Sequence, residues 1–302
     1  MKKFRIKLAK LVQKSKPLWA AYSFFRAVYL FIFRPNRIKT VIDPAFHGWG
    51  LTSITSPPWA GGGTNLLAQN FSRADALLKM LVQKEKFVLS QFKHMSFADE
   101  MKFLGELNWR HYMVYWSSAY AVKNTTSTIK NFAECGVCDG LTIFYAINAV
   151  KDLTEPYAAY LYDAWGGLRE DLLLESEKYS AGNYDYLNVL TTQKNLSVFD
   201  VDTLFFNKGY IPESFDVAKN PPSIVWLHID LNGALPTVCA LNFFWDRLEE
   251  GGVILFDDYA HPGFKDTQNA VDEWMQSKKG TLLHLPTGQA IIIKDRYLSK
   301  AR

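Results

Sequence analysis

The sequence predicts a doubly wound α/β fold preceded by a helical extension. Its 302 residues, 48% hydrophobic and 21% charged, have the composition of a globular protein that can bury a full core. From residue 130 onward, seven short apolar runs alternate with segments of helical periodicity. Such alternation is typical of a mostly parallel, seven-stranded sheet with helices on both faces.

Residues 1–42 form a basic, aromatic arm with eleven Lys and Arg and no acid. The apolar run at 18–33 within it contains Arg26 and is shorter than the about 20 residues that span a membrane. We expect residues 1–40 to lie on an anionic membrane surface as an interfacial helix. The alternative is a helix that packs on the body of the protein or on a second subunit in a homo-oligomer.

Residues 43–124 are expected to form a loop followed by a helical cap. Residues 43–70 are rich in Gly, Pro, Ser and Thr, a composition found in lids, binding loops and linkers. From residue 72 to residue 124 the pattern is helical. The chain is therefore divided into an arm (1–42), a loop and cap (43–124) and an α/β domain (125–302).

The α/β domain begins with a candidate strand at 130–135. Further candidate strands lie at 158–163, 203–207, 223–230, 253–257, 281–284 and 289–294, and candidate helices at 141–150, 184–196, 234–248 and 266–277. Helices between successive strands imply parallel neighbours, and ligands of such sheets bind at the carboxyl ends of the strands, where the strand order reverses. The chemistry is therefore expected in the segments that follow the strands.

A glycine turn follows the first candidate strand and contains Glu134, Gly136, Asp139 and Gly140. Glycines let backbone amides approach a ligand, and the start of the next helix adds positive potential. The G-x-x-x-G spacing differs from the G-x-G-x-x-G of dinucleotide folds, which disfavours NAD. Because the Glu134 carboxylate suits the amino group and positive centre of a sulfonium cofactor, we assign these four residues to cofactor binding.

Asp163 ends the second candidate strand, at the same predicted edge of the sheet as the glycine turn. A carboxylate at this place can accept hydrogen bonds from both ribose hydroxyls of an adenosyl group. We therefore add Asp163 to the cofactor-binding set. The alternative is a simple turn after the strand.

Three acids follow two further candidate strands. Asp230 ends one of them, and Asp257 and Asp258 end the next, with one helix between the two strands. Parallel neighbours would bring these carboxylates together, where they repel one another unless a cation is present. Oxygen ligands alone favour a hard ion such as Mg²⁺. The alternative is that each acid caps a helix.

Residues from about 110 to 294 resemble the macrocin O-methyltransferase family, metal-dependent class I methyltransferases of sugar hydroxyls. The segments that carry the resemblance are 134–140, 163–168, 208–214, 228–232 and 251–259. The resemblance implies a Rossmann-like fold, S-adenosylmethionine as cofactor, and Mg²⁺ held by Asp230, Asp257 and Asp258. It further implies a saccharide or glycan acceptor.

The general base is open. Some members of the family have an acid two residues after the first metal ligand, where this chain has Asn232. An amide can bind a metal or a hydroxyl but cannot take a proton. His228 and His261 are the alternative bases, beside Asp230 and Asn232 in the catalytic set, and ionisation without a dedicated base is a third possibility.

The sequence leaves two rival classes open. A metal-dependent glycosyltransferase would use Asp230 and Asn232 as an Asp-x-Asn site, which explains the metal but not the glycine turn. A membrane-tethered scaffold without activity would explain Asn232. Three cysteines are too few for a disulfide framework, so we expect a cytoplasmic protein, peripheral on the inner face of the membrane. We expect no nucleic-acid partner.

Overall fold

The computed structural model describes residues 69–153, 155–261 and 263–296. The basic arm lies outside these residues, so its membrane role stays a prediction. The described residues fall into two compact units, 91–100 in the first, and 69–90 and 101–296 in the second. In the first unit, Ser96 Oγ accepts the Asp99 amide at 3.2 Å and donates to the Asp99 carboxylate at 2.7 Å. Ser96 thereby caps the start of the helix that begins at Phe97.

The second unit is built on a seven-stranded sheet of order β3-β2-β1-β4-β5-β7-β6. Strands β1 to β5 run parallel, and β7 pairs antiparallel with both β5 and β6. The strands are β1 (Lys130–Cys135), β2 (Tyr157–Asp163), β3 (Leu204–Lys208), β4 (Ile224–Ile229), β5 (Leu248–Phe256), β6 (Gly280–His284) and β7 (Ala290–Lys294). The predicted doubly wound, mostly parallel sheet is confirmed.

The described helices flank this sheet and precede it. They are α1 (Gln69–Gln83), α2 (Phe97–Glu106), α3 (Asn108–Asn124), α4 (Leu141–Leu153), α5 (Val189–Leu196), α6 (Ser214–Val217), α7 (Ala234–Phe244) and α8 (Lys265–Met275). Helix α3 packs on α4, β4 and β5, and α1 packs on α4. The unit that holds the sheet therefore extends across residue 124, where the sequence analysis ended the helical cap.

Two predicted boundaries were wrong. The helix predicted at 234–248 ends at Phe244, and Leu248 already pairs with Ile224 as the first residue of β5. The sequence did not indicate that β5 begins at Leu248, because glycines such as those at 251 and 252 are unfavourable inside a strand. Gly251 has a φ of +79° and lies at an irregularity in the pairing of β5 with β4. The helix predicted at 184–196 begins only at Val189, because Asn188 caps it by accepting the Leu190 amide at 2.9 Å.

Side chains of β1 and β4 alternate between the two faces of the sheet. Ala133 belongs to the buried core that also contains residues of α7 and α8. Glu134, Trp226 and His228 lie on the opposite face, where Trp226 Nε1 donates to Ser117 Oγ of α3 at 2.9 Å. Glu134 and His228 are therefore placed toward the side of α3. Among the described residues, no helix is long and apolar enough to cross a membrane.

Candidate active site

The carboxyl ends of β2, β1, β4 and β5 meet at one edge of the sheet through backbone hydrogen bonds. Gly136 N donates to Tyr162 O at 2.8 Å, Asp230 N to Cys135 O at 2.8 Å, and Asp257 N to Ile229 O at 3.0 Å. This edge includes the reversal of strand order between β1 and β4. The structure thus brings the glycine turn and the predicted acids to the same place.

Gly136 joins the glycine turn to the acid cluster. It has a φ of +89°, and a Cβ atom there would lie 1.8 Å from the carbonyl oxygen of Asp230. Only glycine tolerates both the conformation and the close approach. Gly140 also has a positive φ, +86°, at the start of α4. Both glycines are placed as the prediction of a cofactor-binding turn requires.

Asp163 stabilises the glycine turn from the end of β2. Its Oδ2 accepts the amides of Val137 and Cys138 at 2.7 and 2.8 Å, and its Oδ1 accepts the Trp165 amide at 2.5 Å. Burial raises the pKa of this carboxyl, against the effect of the three amides. Binding of ribose by Asp163 stays a prediction, and the side chain also has this structural role.

Asp139 is placed differently from the prediction. Its side chain is buried, and its two carboxylate oxygens accept the Ser90 amide at 2.6 Å and the Ser90 hydroxyl at 2.8 Å. Its carbonyl accepts Asn195 Nδ2 at 2.9 Å. Asp139 therefore holds the turn to residue 90 and to α5. Its assignment to cofactor binding stays a prediction, and both of its carboxylate oxygens already accept hydrogen bonds from Ser90.

Glu134 and His228 form a buried pair on the α3 side of the sheet. His228 Nδ1 lies 3.0 Å from Glu134 Oε1, and each side chain is 1% exposed. Burial raises the pKa of Glu134 to about 7. Direct contact between Glu134 and a cofactor stays a prediction, since the structure shows one of its oxygens committed to His228.

His228 is a poor candidate for the general base. Burial lowers its pKa, but Asp257 and Glu134 outweigh this effect and raise the pKa to about 10. A histidine that stays protonated near neutral pH cannot accept a proton. Its Nε2 lies 4.0 Å from Asp257 Oδ1. The structure thus places His228 beside Asp257, and its role as base stays a prediction.

The three acids predicted to bind metal come together. Asp230, Asp257 and Asp258 each offer one ligand atom, and these atoms lie within 4.8 Å of one another. Burial and the charges of its two neighbours raise the pKa of Asp230 well above its ordinary value. Burial and Asp257 raise the pKa of Asp258 to about 7. The carboxylates are therefore close enough to resist simultaneous ionisation without a cation.

The donor set fits a hard divalent cation. Asp258 Oδ2 is buried and has no hydrogen-bond partner among the described residues. Buried polar atoms are nearly always paired, so an unpaired carboxylate oxygen in an oxygen-only cluster indicates a missing positive partner. Residues and geometry thus agree with the predicted Mg²⁺ site, and occupation by the metal stays a prediction.

Arg110 and Gln289 hold Asp257, and the sequence analysis missed both. Arg110 Nη2 donates to Asp257 Oδ2 and, at 3.2 Å, to the Asp257 carbonyl, while Nη1 donates to the Thr287 carbonyl at 3.0 Å. Gln289 Nε2 donates to Asp257 Oδ1 at 3.0 Å. Burial would raise the pKa of Asp257, but His228 and Arg110 hold it below its usual range. The sequence signal that could have pointed to Gln289 is the Pro-Thr-Gly turn at 286–288 directly before it.

Asn232 lies beside the acids, and both polar atoms of its side-chain amide form hydrogen bonds. Its Nδ2 donates to Asp230 Oδ1 at 3.3 Å, and its Oδ1 accepts the Tyr184 hydroxyl at 3.2 Å. Its backbone has a φ of +55°, which asparagine tolerates better than most residues. The amide is oriented toward the acid cluster, as the prediction of a ligand or substrate contact requires. That role stays a prediction.

His261 lies in the loop after the acid pair and is exposed. Its ring is next to Gly288, where a Cβ atom would lie 3.2 Å from His261 Cδ2. His261 thus lies against the turn whose Thr287 carbonyl accepts a hydrogen bond from Arg110. It does not bring His261 into the acid cluster itself, and its role as base stays a prediction.

The loop between β2 and α5 covers the segment around Asn232. Glu177 is 5% exposed, and its two oxygens accept the amides of Ala234 and Leu174, each at 2.9 Å. Gly233 offers no side chain to cap α7, so Glu177 satisfies the first amide of that helix. Sequence patterns gave no sign of this contact, because Glu177 lies far from Ala234 in the chain.

Comparisons with known proteins find methyltransferases among the proteins that this chain is similar to. Residues 133–259 match the family model of a methyltransferase domain. The O-methyltransferase NovP superposes with a TM-score of 0.57 at 12% identity, over 76% of this chain and 100% of NovP. The calicheamicin methyltransferase CalS11 gives a TM-score of 0.47 at 14% identity, over 75% of this chain and 93% of CalS11. No curated protein sequence matches the chain significantly.

Proposed function

We propose that this chain is a class I S-adenosylmethionine-dependent methyltransferase and that it methylates a hydroxyl of a saccharide or glycan with the help of Mg²⁺. The observation that carries the proposal is the contact between Gly136 and Asp230. The glycine turn that class I enzymes use for the cofactor touches the backbone of the first acid of the cluster. A methyl donor and a hydroxyl held at the acids would therefore be neighbours, and proximity of this kind supplies much of the rate of group transfer.

Asp230, Asp257 and Asp258 would hold the cation. Mg²⁺ supplies Lewis acidity, which lowers the pKa of a coordinated hydroxyl. Asn232, fixed by Tyr184, would orient the acceptor through its amide group, and it cannot act as the base. His228 would stay protonated and orient Asp257 from behind.

The saccharide acceptor is supported by the resemblance to sugar O-methyltransferases and by the loop over the site. Tyr179 and Tyr186 of this loop are 55% and 47% exposed. Exposed aromatic rings offer apolar faces with a polar edge, which suit the mixed surface of a sugar ring. The ring of Tyr186 lies 6.3 Å from that of Tyr184, whose hydroxyl contacts Asn232. The aromatic side chains thus extend from the acid cluster outward.

Calorimetry on the full chain separates this proposal from a glycosyltransferase. S-adenosylhomocysteine should bind, whereas UDP, GDP and dTDP alone should not. Release of S-adenosylhomocysteine is then measured with nucleotide-linked sugars, free sugars and a catechol as acceptors. Turnover with a sugar acceptor should stop in EDTA and return with Mg²⁺.

The variant Asp258→Asn should abolish that turnover and leave S-adenosylhomocysteine affinity within about threefold, because the carboxylate is not part of the cofactor turn. The control is Asp246→Asn, an exposed carboxylate before the first residue of β5, at the opposite end of that strand from Asp257 and Asp258. Turnover that survives both EDTA and Asp258→Asn would show that the acids are structural and that no metal is needed. Binding of a nucleoside diphosphate without S-adenosylhomocysteine would favour the glycosyltransferase.

A further inference from the structure

We propose that Arg110 is an internal counter-ion of the acid cluster and competes with the divalent cation for Asp257. Arg110 would thereby set the cation affinity of the site from a helix outside the matched methyltransferase domain, residues 133–259. The inference rests on the proposed cation site. It makes Arg110 a positioning residue, since it acts on the acceptor and the cofactor only through Asp257.

The contacts of Asp257 differ from those of the other two acids. Both of its carboxylate oxygens accept hydrogen bonds, from Arg110 and from Gln289, and its carbonyl accepts a third. Asp258, in contrast, has a buried oxygen without a partner among the described residues. In Asp257, both carboxylate oxygens therefore already have hydrogen-bond partners in the protein. Asp258 keeps an oxygen that has none among the described residues.

Several hydrogen bonds fix the guanidinium group of Arg110 beside Asp257. Arg110 lies in the first turn of α3, and its side chain is 20% exposed. One nitrogen contacts Asp257 twice, and the other donates to the Thr287 carbonyl at 3.0 Å. A planar guanidinium with fixed donors is pre-organised for such a fork. The contact is thus more specific than a surface ion pair.

The positive charge of Arg110 repels a divalent cation that binds to the same acids. Guanidinium is permanently protonated, so a divalent ion that binds beside it meets a fixed positive charge. A unit charge and a divalent ion a few ångströms apart repel enough to weaken binding about tenfold, even with the screening of bulk water. Removal of the charge also frees one Asp257 oxygen as a ligand. The cation affinity should therefore rise when Arg110 is replaced by a neutral residue.

The test is Mn²⁺ binding to the full chain, followed by electron paramagnetic resonance of the free ion. Arg110→Met should bind Mn²⁺ at least about tenfold more tightly than the unmodified protein. Arg110→Lys keeps the charge and should stay within about threefold of the unmodified protein. The matched control is Arg247→Met, because Arg247 donates to the Phe243 carbonyl and touches no acid of the cluster.

A second measurement follows the unmodified protein and uses a variant only to assign one signal. In protein with ¹⁵N-labelled arginine, the side-chain signal of Arg110, assigned from its loss in Arg110→Lys, should move and broaden as Mg²⁺ saturates the site. The signal of Arg247 should stay where it is. Equal or weaker Mn²⁺ binding by folded Arg110→Met, or an Arg110 signal that Mg²⁺ leaves unchanged, would overturn the competition.

The outcomes also separate this inference from the proposed function. Mn²⁺ binding that is equal in the unmodified protein and Arg110→Met refutes the competition but keeps the cation site. Absence of binding to both proteins refutes the cation site and the competition together. Loss of S-adenosylhomocysteine binding in the unmodified protein contradicts the proposed function alone.

Discussion

His111 is a buried histidine whose imidazole stacks on the ring of Tyr145, with the centroids 4.6 Å apart. It is 5% exposed, and its Nδ1 has no hydrogen-bond partner among the described residues. Burial lowers its pKa to about 3, and the charge of Arg110 acts in the same direction. The neutral ring is therefore part of the packing between α3 and α4.

This pKa predicts a dependence of stability on pH. An unfolded histidine binds a proton below about pH 6.5, whereas native His111 binds one only near pH 3. The unfolded state thus holds more protons in this interval, so the free energy of unfolding falls as the pH drops, by at most about 1.4 kcal/mol per unit. His111→Phe should flatten this slope in urea unfolding between about pH 7 and about pH 5.

The exposed residue His94 provides the control for that experiment. His94→Gln should leave the slope of the unmodified protein unchanged, because this side chain is exposed to solvent in the native state as it is in the unfolded state. The raised pKa of Glu134 makes the free energy of unfolding rise as the pH drops. Glu134 is present in all three proteins, so this effect cancels when their slopes are compared. A slope that is identical in His111→Phe and the unmodified protein would contradict the assignment.

Individual site residues differed in how far the sequence could place them. Asp230, Asp257 and Asp258 follow buried strands, and the parallel order of those strands fixes where their ends meet. Arg110 and Tyr184 could not be placed, because each reaches the site from a helix or loop whose position depends on packing between distant segments. The contact of Asp139 with Ser90 could not be predicted either, because Ser90 lies in a segment without any strand pattern.

Among the elements, the loop between β2 and α5 is held by contacts between residues that are not neighbours in the sequence. Leu168 and Gly182 bond through their backbones at 2.8 Å, and a Cβ atom on Gly167 would lie 3.2 Å from Gly182. Glu177 then attaches the loop to the start of α7. The strands could be predicted from their apolar runs, whereas this loop has no periodicity that would show where it folds back.

The contact of Glu177 with α7 predicts a specific loss of stability. Glu177→Ala leaves the buried amide of Ala234 and the partly buried amide of Leu174 without acceptors, and each unsatisfied buried amide costs about 1 to 3 kcal/mol. Urea unfolding should therefore show a decrease of about 2 kcal/mol or more in the free energy of unfolding. Glu175→Ala is the control, because Glu175 is 89% exposed and its ion pair with Lys178 lies at the surface. Equal stability of the two variants would show that Glu177 does not hold the loop.

At the scale of the whole molecule, charge is distributed unevenly along the chain. Eleven of the 34 Lys and Arg lie in residues 1–42, which contain none of the 30 acids. The rest of the chain is therefore acidic on balance and would be repelled by an anionic surface. If the arm binds a membrane, it would hold the active site near glycans carried on lipids, which is the acceptor class proposed above.

The arm leads to a prediction for the full chain on lipid vesicles. Each basic residue near an anionic surface contributes about 1 kcal/mol, so the protein should cosediment with phosphatidylglycerol vesicles at low salt. High salt should release it, because ions screen this attraction beyond a Debye length.

Replacement of the seven Lys and Arg in residues 1–16 by Gln should abolish binding and leave S-adenosylhomocysteine affinity unchanged. Replacement of an equal number of bases beyond residue 42 serves as the control and should keep vesicle binding. If the unmodified protein stays in solution, or if both variants bind alike, residues 1–40 are better explained as a helix that packs on the protein or on a second copy of it.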